Sequence, residues 1–291
     1  MKVVVTGGLG KIGQSVVKAL TGNGEQPHEV VVFDRLPGPQ GGPFQQGPVR
    51  YVVGDTLDLG QVLGVLAGAD AVIHLAALPA PGFTTNDVTL RTNVLGTFNV
   101  HEAAWRLGIR RVVSASSTAA LGWVYREREF PPDYLPVDED HPLRPQDVYG
   151  LSKQIVEDIA RSYASKCEME TVMLRPPGVL TPEQLDELRA SGGRRPPRFS
   201  LCDYVDLRDL ASAFRLAVER PVSGGTALFV VADDSNASEP LSVLLPRLLP
   251  EIGDRAKNLT GIASGTSNAR AKKMLAWQPR HSWRDPDGVS G

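Results

Sequence analysis

The chain has 291 residues, 42% of them apolar and 22% charged, with a formal net charge of −2. These values are ordinary for a soluble globular protein with one large core, and they favour neither a nucleic acid nor an anionic membrane as partner. No apolar run is long enough to span a membrane, and the two cysteines stand in no metal-ligand pattern, so we expect a cytoplasmic protein with free thiols.

The chain opens with a glycine-rich turn between a predicted strand and a predicted helix. Residues 2–6 are a continuous β-branched run, typical of a parallel strand that is buried on both faces. The glycines after it permit a tight turn in which backbone N–H groups and a helix N-terminus bind a pyrophosphate, although glycines can also simply close such a turn. The candidate cofactor contacts are Gly7, Gly10, Lys11, Ile12 and Gly13.

Two acidic residues follow the next two predicted strands. Residues 29–33 lead into Asp34, where a carboxylate would bind the adenosine ribose and repel a 2′-phosphate, which favours NAD. Arg35 could instead hold the phosphate of NADP, so NADP stays the alternative. Residues 49–53 lead to Asp55, which we expect to face the adenine or to cap the following helix.

Small and hydroxyl side chains follow the fourth and fifth predicted strands. His74 ends the fourth strand, and we interpret it as a packed, hydrogen-bonded side chain. The fifth strand ends in the hydroxyl-rich residues 114–118, at the sheet edge where open parallel sheets bind ligands. The candidate cofactor contacts after the fourth strand are Leu75, Ala76 and Ala77.

A predicted helix starting near Val148 carries a tyrosine and a lysine. Tyr149 and Lys153 are four residues apart, so they share one helix face. A phenol of pKa ~10 is a poor base at neutral pH, but a fixed ammonium beside it favours the phenolate. Tyr149 could then exchange a proton with a substrate hydroxyl. The pair alone is also compatible with an ordinary amphipathic helix.

Together these segments resemble the extended short-chain dehydrogenase/reductase family, also described as NAD-dependent epimerase/dehydratases. Each motif is weak alone, but they occur in the family's order along nearly the whole chain. The matching segments are TGGLGKIG at 6–13, Asp34, GD at 54–55, HLAA at 74–77, NVLGT at 93–97, SS at 116–117, Tyr149 with Lys153, RP at 175–176, DYVDLRDLA at 203–211 and NARAKKMLAWQP at 268–279.

The resemblance implies hydride transfer between a substrate carbon and a nicotinamide. Tyr149 would be the general acid/base, and Lys153 would hold the nicotinamide ribose and lower the tyrosine pKa. Ser117 would position the substrate oxygen, with Ser116 or Thr118 as alternatives.

The resemblance also implies two further contacts. Asn93, within the long helix predicted at residues 84–107, becomes a candidate cofactor contact. This helix and the one at 148–166 would pair with the same helices of a second copy in a homodimer. The other expected partner is a small-molecule substrate.

Three departures from the family favour a small substrate. Family epimerases carry an asparagine after the sixth strand that helps to hold a substrate diphosphate, whereas this chain has Pro177 and Gly178 there. The variable substrate region, residues 178–203, is short. The acidic pair of family dehydratases is replaced by Ala119 and Ala120.

The short variable region is rich in arginine. Guanidinium groups bind carboxylates bidentately, so one or two of them could clamp an acidic substrate, as in the uronate dehydrogenases that the chain resembles. The alternative is a solvated basic loop. The insert at 123–144, which contains Tyr125 and Tyr134, is expected to overhang the site. The four arginines are Arg189, Arg194, Arg195 and Arg198.

We therefore predict an α/β protein with a doubly wound parallel sheet, a Rossmann fold, and a small carboxyl-terminal substrate-binding lobe. The dinucleotide-binding domain is expected at residues 1–175, with 203–232 returning to it. The lobe is expected at 176–202 and 233–291.

The predicted function is NAD(P)-dependent oxidation or reduction of a hydroxyl or carbonyl in a small polar, sugar-like substrate, either acidic or neutral. A sugar or nucleotide-sugar epimerase with tightly bound NAD is the first alternative. A non-catalytic dinucleotide sensor is the second. The presence of Ser117, Tyr149 and Lys153 argues against a sensor, which needs none of them.

Overall fold

The chain folds around one parallel sheet. The structure is a computed structural model, which describes residues 1–22, 27–38, 45–196 and 198–285. A short antiparallel strand, β3 (Gln45–Gln46), lies at one edge of this sheet. The parallel strands within the described ranges are β1 (Lys2–Thr6), β2 (Glu29–Asp34), β4 (Val49–Val53), β5 (Ala71–His74), β6 (Arg111–Ala115), β7 (Glu170–Arg175) and β10 (Thr226–Phe229).

The order of the strands creates a crevice at one point of the sheet. The order is β10-β7-β6-β5-β1-β2-β4-β3, so successive strands move outward from β1 on one side and from β5 on the other. Ligands of such open sheets bind beyond the carboxyl ends of the strands at this switch point. The predicted doubly wound parallel sheet is confirmed.

A pair of short parallel strands and the helices complete the architecture. The strands, β8 (Gly178–Leu180) and β9 (Tyr204–Asp206), lie outside the main sheet. None of the helices in the described ranges combines the length and apolar character needed to cross a bilayer. The helices are α1 (Lys11–Thr21), α2 (Leu59–Leu66), α3 (Asn86–Arg106), α4 (Val148–Cys167), α5 (Pro182–Ala190), α6 (Leu207–Glu219), α7 (Leu241–Leu248) and α8 (Ala269–Leu275), with 3-10 segments at Thr118–Leu121 and Pro250–Asn258.

Side chains of the central strands alternate between two apolar layers. Val3 and Val5 lie in a cluster that includes Phe214 of α6, whereas Val4 lies in a second cluster with Val100 of α3. Successive strand residues point to opposite faces, so a strand covered on both faces is apolar throughout. This explains the unbroken β-branched run of β1.

A buried ion pair joins α4 to the sheet. The Nε and Nη2 atoms of Arg175, at the end of β7, each donate to Glu157 over 2.7 Å. Ser116 and Arg161 also donate to this carboxylate, each over 2.6 Å. Burial alone would raise the pKa of Glu157, but the bonds and charge of Arg175 outweigh it and the pKa is lowered. The glutamate therefore stays ionised and holds α4 against β6 and β7.

A further apolar cluster lies beside the sheet. It brings Trp123 and Val137 of the insert together with Phe199, with Leu245 of α7 and with Phe229 of β10. The insert therefore shares its core with carboxyl-terminal segments. The predicted division into 1–175 with 203–232, and 176–202 with 233–291, stays a prediction.

Helix α5 was not predicted, although its start carries a sequence signal. The Thr181 side chain accepts from the backbone N–H of Gln184, the Gln184 side chain accepts from that of Thr181, and Pro182 is the first helical residue. This reciprocal arrangement is a capping box. The segment TPEQ at 181–184 would have predicted the helix.

Candidate active site

Two adjacent cavities lie at the carboxyl edge of the sheet. The Asp34 cavity, of about 310 Å³, contains Asp34, Asp55 and Ala76. The Tyr149 cavity, of about 490 Å³, contains Tyr149 and most of the other predicted site residues. Residues that line both cavities are Gly7, Gly10, Leu75 and Ala77, and those that line the Tyr149 cavity alone include Lys11, Ile12, Gly13, Ser117, Tyr149 and Lys153.

The glycine-rich turn fits a dinucleotide pyrophosphate. Gly7 has a left-handed φ of +69°, and an added Cβ would lie 2.6 Å from the Ala76 nitrogen. At Gly13 a Cβ would lie 2.3 Å from the Gly7 carbonyl oxygen. Gly10 is the N-cap residue of α1 and makes no side-chain hydrogen bond to the helix, so the helix N-terminus is open to a ligand. Backbone N–H groups and the helix dipole at such a terminus favour an anion.

Asp34 and Asp55 form the opposite end of this site. Asp34 accepts hydrogen bonds from the Leu9 and Leu36 backbone, each over 3.1 Å, and so also fixes the glycine-rich turn. Asp55 lies 4.0 Å from the guanidinium of Arg35. The alternative of Asp55 as a helix cap is wrong, because Asp58 caps α2.

Asn93 lies outside both cavities. Its buried side chain accepts from the Leu78 N–H over 2.8 Å and donates to the Leu78 carbonyl over 3.2 Å and to Ser152 over 3.0 Å. Both N–H groups and one acceptor position of the amide are thus used by protein groups. These bonds hold the loop after β5 against α4. The role of Asn93 as a cofactor contact stays a prediction.

Lys11 extends away from the glycine-rich turn. Its ammonium donates to the Val179 carbonyl over 2.9 Å and to the Gln184 side chain over 3.2 Å. It therefore links the start of α1 to β8 and α5.

The predicted helix face of Tyr149 and Lys153 is present. Asp147 caps α4 through the Gly150 N–H, and both side chains are buried. The Lys153 ammonium lies 5.6 Å from the Tyr149 ring centre and donates to the Ala115 carbonyl over 2.8 Å. Burial lowers the pKa of Lys153 to about 8, partly opposed by the charge of Glu157.

The expected lowering of the tyrosine pKa by the lysine is wrong for this arrangement. Burial raises the pKa of Tyr149 to about 12, and a hydrogen bond from Ser117 only partly offsets this. The ammonium is directed at a backbone carbonyl rather than at the phenol. Desolvation of the phenolate is thus the main influence on the pKa of Tyr149.

The three hydroxyls after β6 have different surroundings. Ser116 donates to the buried Glu157 and is held there. Ser117 is half-buried, lines the Tyr149 cavity and accepts a bond from the Ala119 N–H over 3.1 Å. Thr118 is buried and lines the same cavity. Ser117 is thus the hydroxyl that lies beside the phenol.

His74 is a packed, hydrogen-bonded side chain, as predicted. Its Nδ1 and Nε2 atoms bond the hydroxyls of Thr6 and Thr97 at 2.7 and 3.1 Å. Burial lowers its pKa to about 3, with the neighbouring charge of His101 a smaller cause. The imidazole is therefore neutral and connects its own strand, β5, to β1 and α3.

A third cavity, of about 370 Å³, adjoins the Tyr149 cavity. We call it the Arg198 cavity; it shares Thr118, Val124, Pro177 and Gly178 with its neighbour. Two of the four arginines, Arg194 and Arg198, line it.

The other two arginines are directed elsewhere. Arg189 donates to the Trp283 carbonyl over 2.9 Å and pairs with Asp186, and Arg195 donates to the Ser238 hydroxyl over 3.3 Å. Neither lines the cavity. In the part of the chain that the structure describes, the guanidiniums of Arg194 and Arg198 have no hydrogen bond or ion pair.

A different open groove, of about 690 Å³, lies around Arg110 and Glu170. It is at the start of β6 and β7, opposite the edge where parallel sheets bind ligands. It contains none of the predicted site residues.

Comparison with known proteins agrees with this geometry. Residues 3–232 match the model of the NAD dependent epimerase/dehydratase family. The chain belongs to this family. It is therefore an NAD-dependent enzyme of the dehydrogenase and epimerase type.

Individual relatives fall into both of these enzyme types. Uronate dehydrogenase of Pseudomonas putida is 29% identical over 237 residues, which cover 80% of this chain and 77% of that protein. UDP-glucose 4-epimerase of Rhizobium leguminosarum bv. trifolii is 27% identical over 96% of this chain and 93% of its own. A short-chain dehydrogenase/reductase superfamily protein from Agrobacterium tumefaciens, solved with bound NAD, has a TM-score of 0.72 and 28% identity over 98% of this chain and 94% of its own.

Gly13→Ala is expected to weaken NAD binding by about tenfold or more, because the new methyl group collides with the Gly7 carbonyl and the turn must shift. Isothermal titration with NAD measures this. Gly64→Ala is the matched control: it lies inside α2, has nothing within 4 Å of the added carbon, and should raise stability by about 0.5–1 kcal/mol without affecting NAD. Wild-type affinity in Gly13→Ala would remove the turn from the cofactor site.

Proposed function

We propose that this protein is an NAD-dependent dehydrogenase that oxidises a small sugar acid. The observation that carries the proposal is the Arg198 cavity, which adjoins the Tyr149 cavity and presents Arg194 and Arg198 without partners among the described residues. Free guanidiniums at the end of a small pocket suit a carboxylate. The likeness to uronate dehydrogenase supports this reading.

We propose that the substrate hydroxyl binds between Ser117 and Tyr149. Its proton passes to the Tyr149 oxygen while its carbon gives up a hydride. Bound NAD would supply the hydride acceptor and a positive charge in this cavity, which would favour the Tyr149 phenolate against the effect of burial. Lys153 holds the ribose on the nicotinamide side. Ser117 keeps the substrate oxygen in line for proton transfer.

Asp34 and Arg35 support a preference for NAD over NADP. The carboxylate of Asp34 lines the end of the cofactor site, where it would repel a 2′-phosphate. Arg35, the group that could hold that phosphate, lies 4.0 Å from Asp55. NADP stays the alternative cofactor.

Tyr149→Phe is expected to lower turnover by about 10²- to 10⁴-fold, because the ionised Tyr149 oxygen is the proton acceptor. NAD affinity should stay within twofold of wild type, roughly, since the ring and Lys153 are kept. Steady-state rates at the NADH absorbance band and titration with NAD measure the two effects. Full turnover in this variant would exclude Tyr149 from the mechanism.

Arg194→Ala and Arg198→Ala are expected to raise KM for a sugar acid by about tenfold to a hundredfold, the value of a charged hydrogen bond. NADH formation is measured with D-glucuronate and D-galacturonate, with the corresponding neutral sugars and with UDP-sugars. Arg195→Ala, in the same segment but outside the cavity, is the control and should behave as wild type.

The same panel separates the dehydrogenase from the epimerase. A rise in NADH with a sugar acid supports the proposal. Interconversion of UDP-sugars without net NADH would overturn it in favour of the epimerase, which the likeness to UDP-glucose 4-epimerase keeps as the second candidate. Equal effects of the arginine variants on neutral and acidic sugars would contradict the carboxylate contact.

We propose that the protein is a homodimer formed through α3 and α4. Several large apolar side chains along α3 are exposed, and Leu151 adds one from α4. Their spacing along α3 puts them on one side of the helix, and an exposed apolar stripe of this kind is typical of an interface. The exposed α3 side chains are Val88, Leu95, Phe98 and Trp105.

Phe98→Glu is expected to convert the dimer to a monomer, because a carboxylate in the centre of the stripe would be buried without a partner. Light scattering after size exclusion measures the mass. Val243→Glu, at an exposed apolar residue on α7, is the control and should leave the mass unchanged. A monomeric wild type at micromolar concentration would contradict the proposal.

We also propose a cytoplasmic location and a substrate lobe formed by residues 176–202 and 233–291. Both cysteines, Cys167 and Cys202, are free thiols, which suits a reducing compartment. The Arg198 cavity takes much of its lining from residues 194–203, which supports the lobe.

A further inference from the structure

We propose that Tyr125, in the insert at 123–144, binds a substrate hydroxyl and so positions the sugar above Tyr149. This inference rests on the proposed function. Tyr125 lines the Tyr149 cavity, and its ring stands edge-on to that of Tyr149, with 6.1 Å between the ring centres and 83° between the planes.

The backbone on both sides of Tyr125 is anchored. Trp123 is buried and its indole N–H donates to the Phe130 carbonyl over 3.1 Å. Arg126 is also buried; its guanidinium donates to both oxygens of Glu129 at 2.6 and 2.7 Å and to the Phe199 carbonyl over 2.7 Å. The insert therefore presents Tyr125 from a fixed position, as a substrate contact requires.

The hydroxyl of Tyr125 is available for a ligand. Within the described ranges it has no hydrogen-bond partner, whereas the hydroxyls of Tyr134, Tyr163 and Tyr204 donate to Asp138, Glu102 and Asp234. The residue is 37% exposed. Burial and the charge of Asp147 raise the pKa of the phenol, so it stays neutral and acts as donor or acceptor rather than as a base.

The position of Tyr125 assigns it to the substrate rather than to the cofactor. The adjacent Val124 lines both the Tyr149 cavity and the Arg198 cavity. Tyr125 does not line the Asp34 cavity. A sugar that reaches from Arg198 to Tyr149 must pass this point, where a second phenol would bond a hydroxyl near the reacting carbon.

Tyr125→Phe tests this inference on whichever compound of the panel the wild type oxidises best, acidic or neutral. KM is expected to rise about threefold to tenfold, the value of one neutral hydrogen bond, with kcat, its pH profile and NAD affinity unchanged. A series of monodeoxy analogues locates the contact: the analogue that lacks the bonded hydroxyl should have the same KM in wild type and variant. Tyr134→Phe, whose hydroxyl bonds Asp138 outside the cavities, is the control.

Each other outcome has a definite meaning. Wild-type KM in Tyr125→Phe, or a KM increase that persists with every deoxy analogue, would overturn the contact while leaving the dehydrogenase intact. Oxidation of a neutral sugar in preference to sugar acids would overturn the proposal that the substrate is a sugar acid, but the Tyr125 test would still apply to that neutral sugar. No turnover by wild type with any compound would overturn both.

Discussion

The site depends on the buried ion pair between Glu157 and Arg175. Tyr149, Lys153 and Glu157 follow one another at intervals of four residues, so a single face of α4 carries the phenol, the ammonium and the carboxylate. Arg175 fixes the carboxylate at the end of β7, and thereby fixes the height and rotation of the other two above the sheet edge. Removing one partner of a buried pair costs about 3–5 kcal/mol, because the other charge is left uncompensated. This face of α4 is therefore among the most firmly held parts of the molecule.

Much of the fold and of the cofactor site could be predicted, because the relevant signals are local. The β-branched run before Gly7 reflects a strand buried on both faces, and the glycines reflect contacts too close for a Cβ. Asp147 marks the start of α4, and the four-residue spacing of Tyr149 and Lys153 follows from helix geometry alone. Some of these contacts are long-range, such as that of Gly7 with Ala76, but each leaves its signal in a short stretch of sequence, which is why pattern and spacing were sufficient.

Pattern and spacing do not give the properties that depend on distant contacts. Asn93 carried a family motif, but its amide is used by the backbone at Leu78, a partner 15 residues away that spacing does not show. Spacing placed Lys153 beside Tyr149 correctly, yet it does not give the desolvation that raises the tyrosine pKa to about 12. The sequence contains four arginines that pattern alone does not distinguish. The tertiary structure separates Arg189 and Arg195, which bond a carbonyl and a hydroxyl, from the two that line a cavity. Local signals were also overlooked, as the capping box of α5 illustrates.

The contact of Lys11 with Val179 and Gln184 joins the predicted cofactor and substrate sites through one side chain. Lys11 is the first residue of the helix whose N-terminus is the predicted pyrophosphate site, and Val179 is part of the wall of the Tyr149 cavity. We expect a ligand that moves the glycine-rich turn to move this wall as well. By reciprocity, a ligand that favours one position of the wall would then change the affinity for the dinucleotide by the same factor.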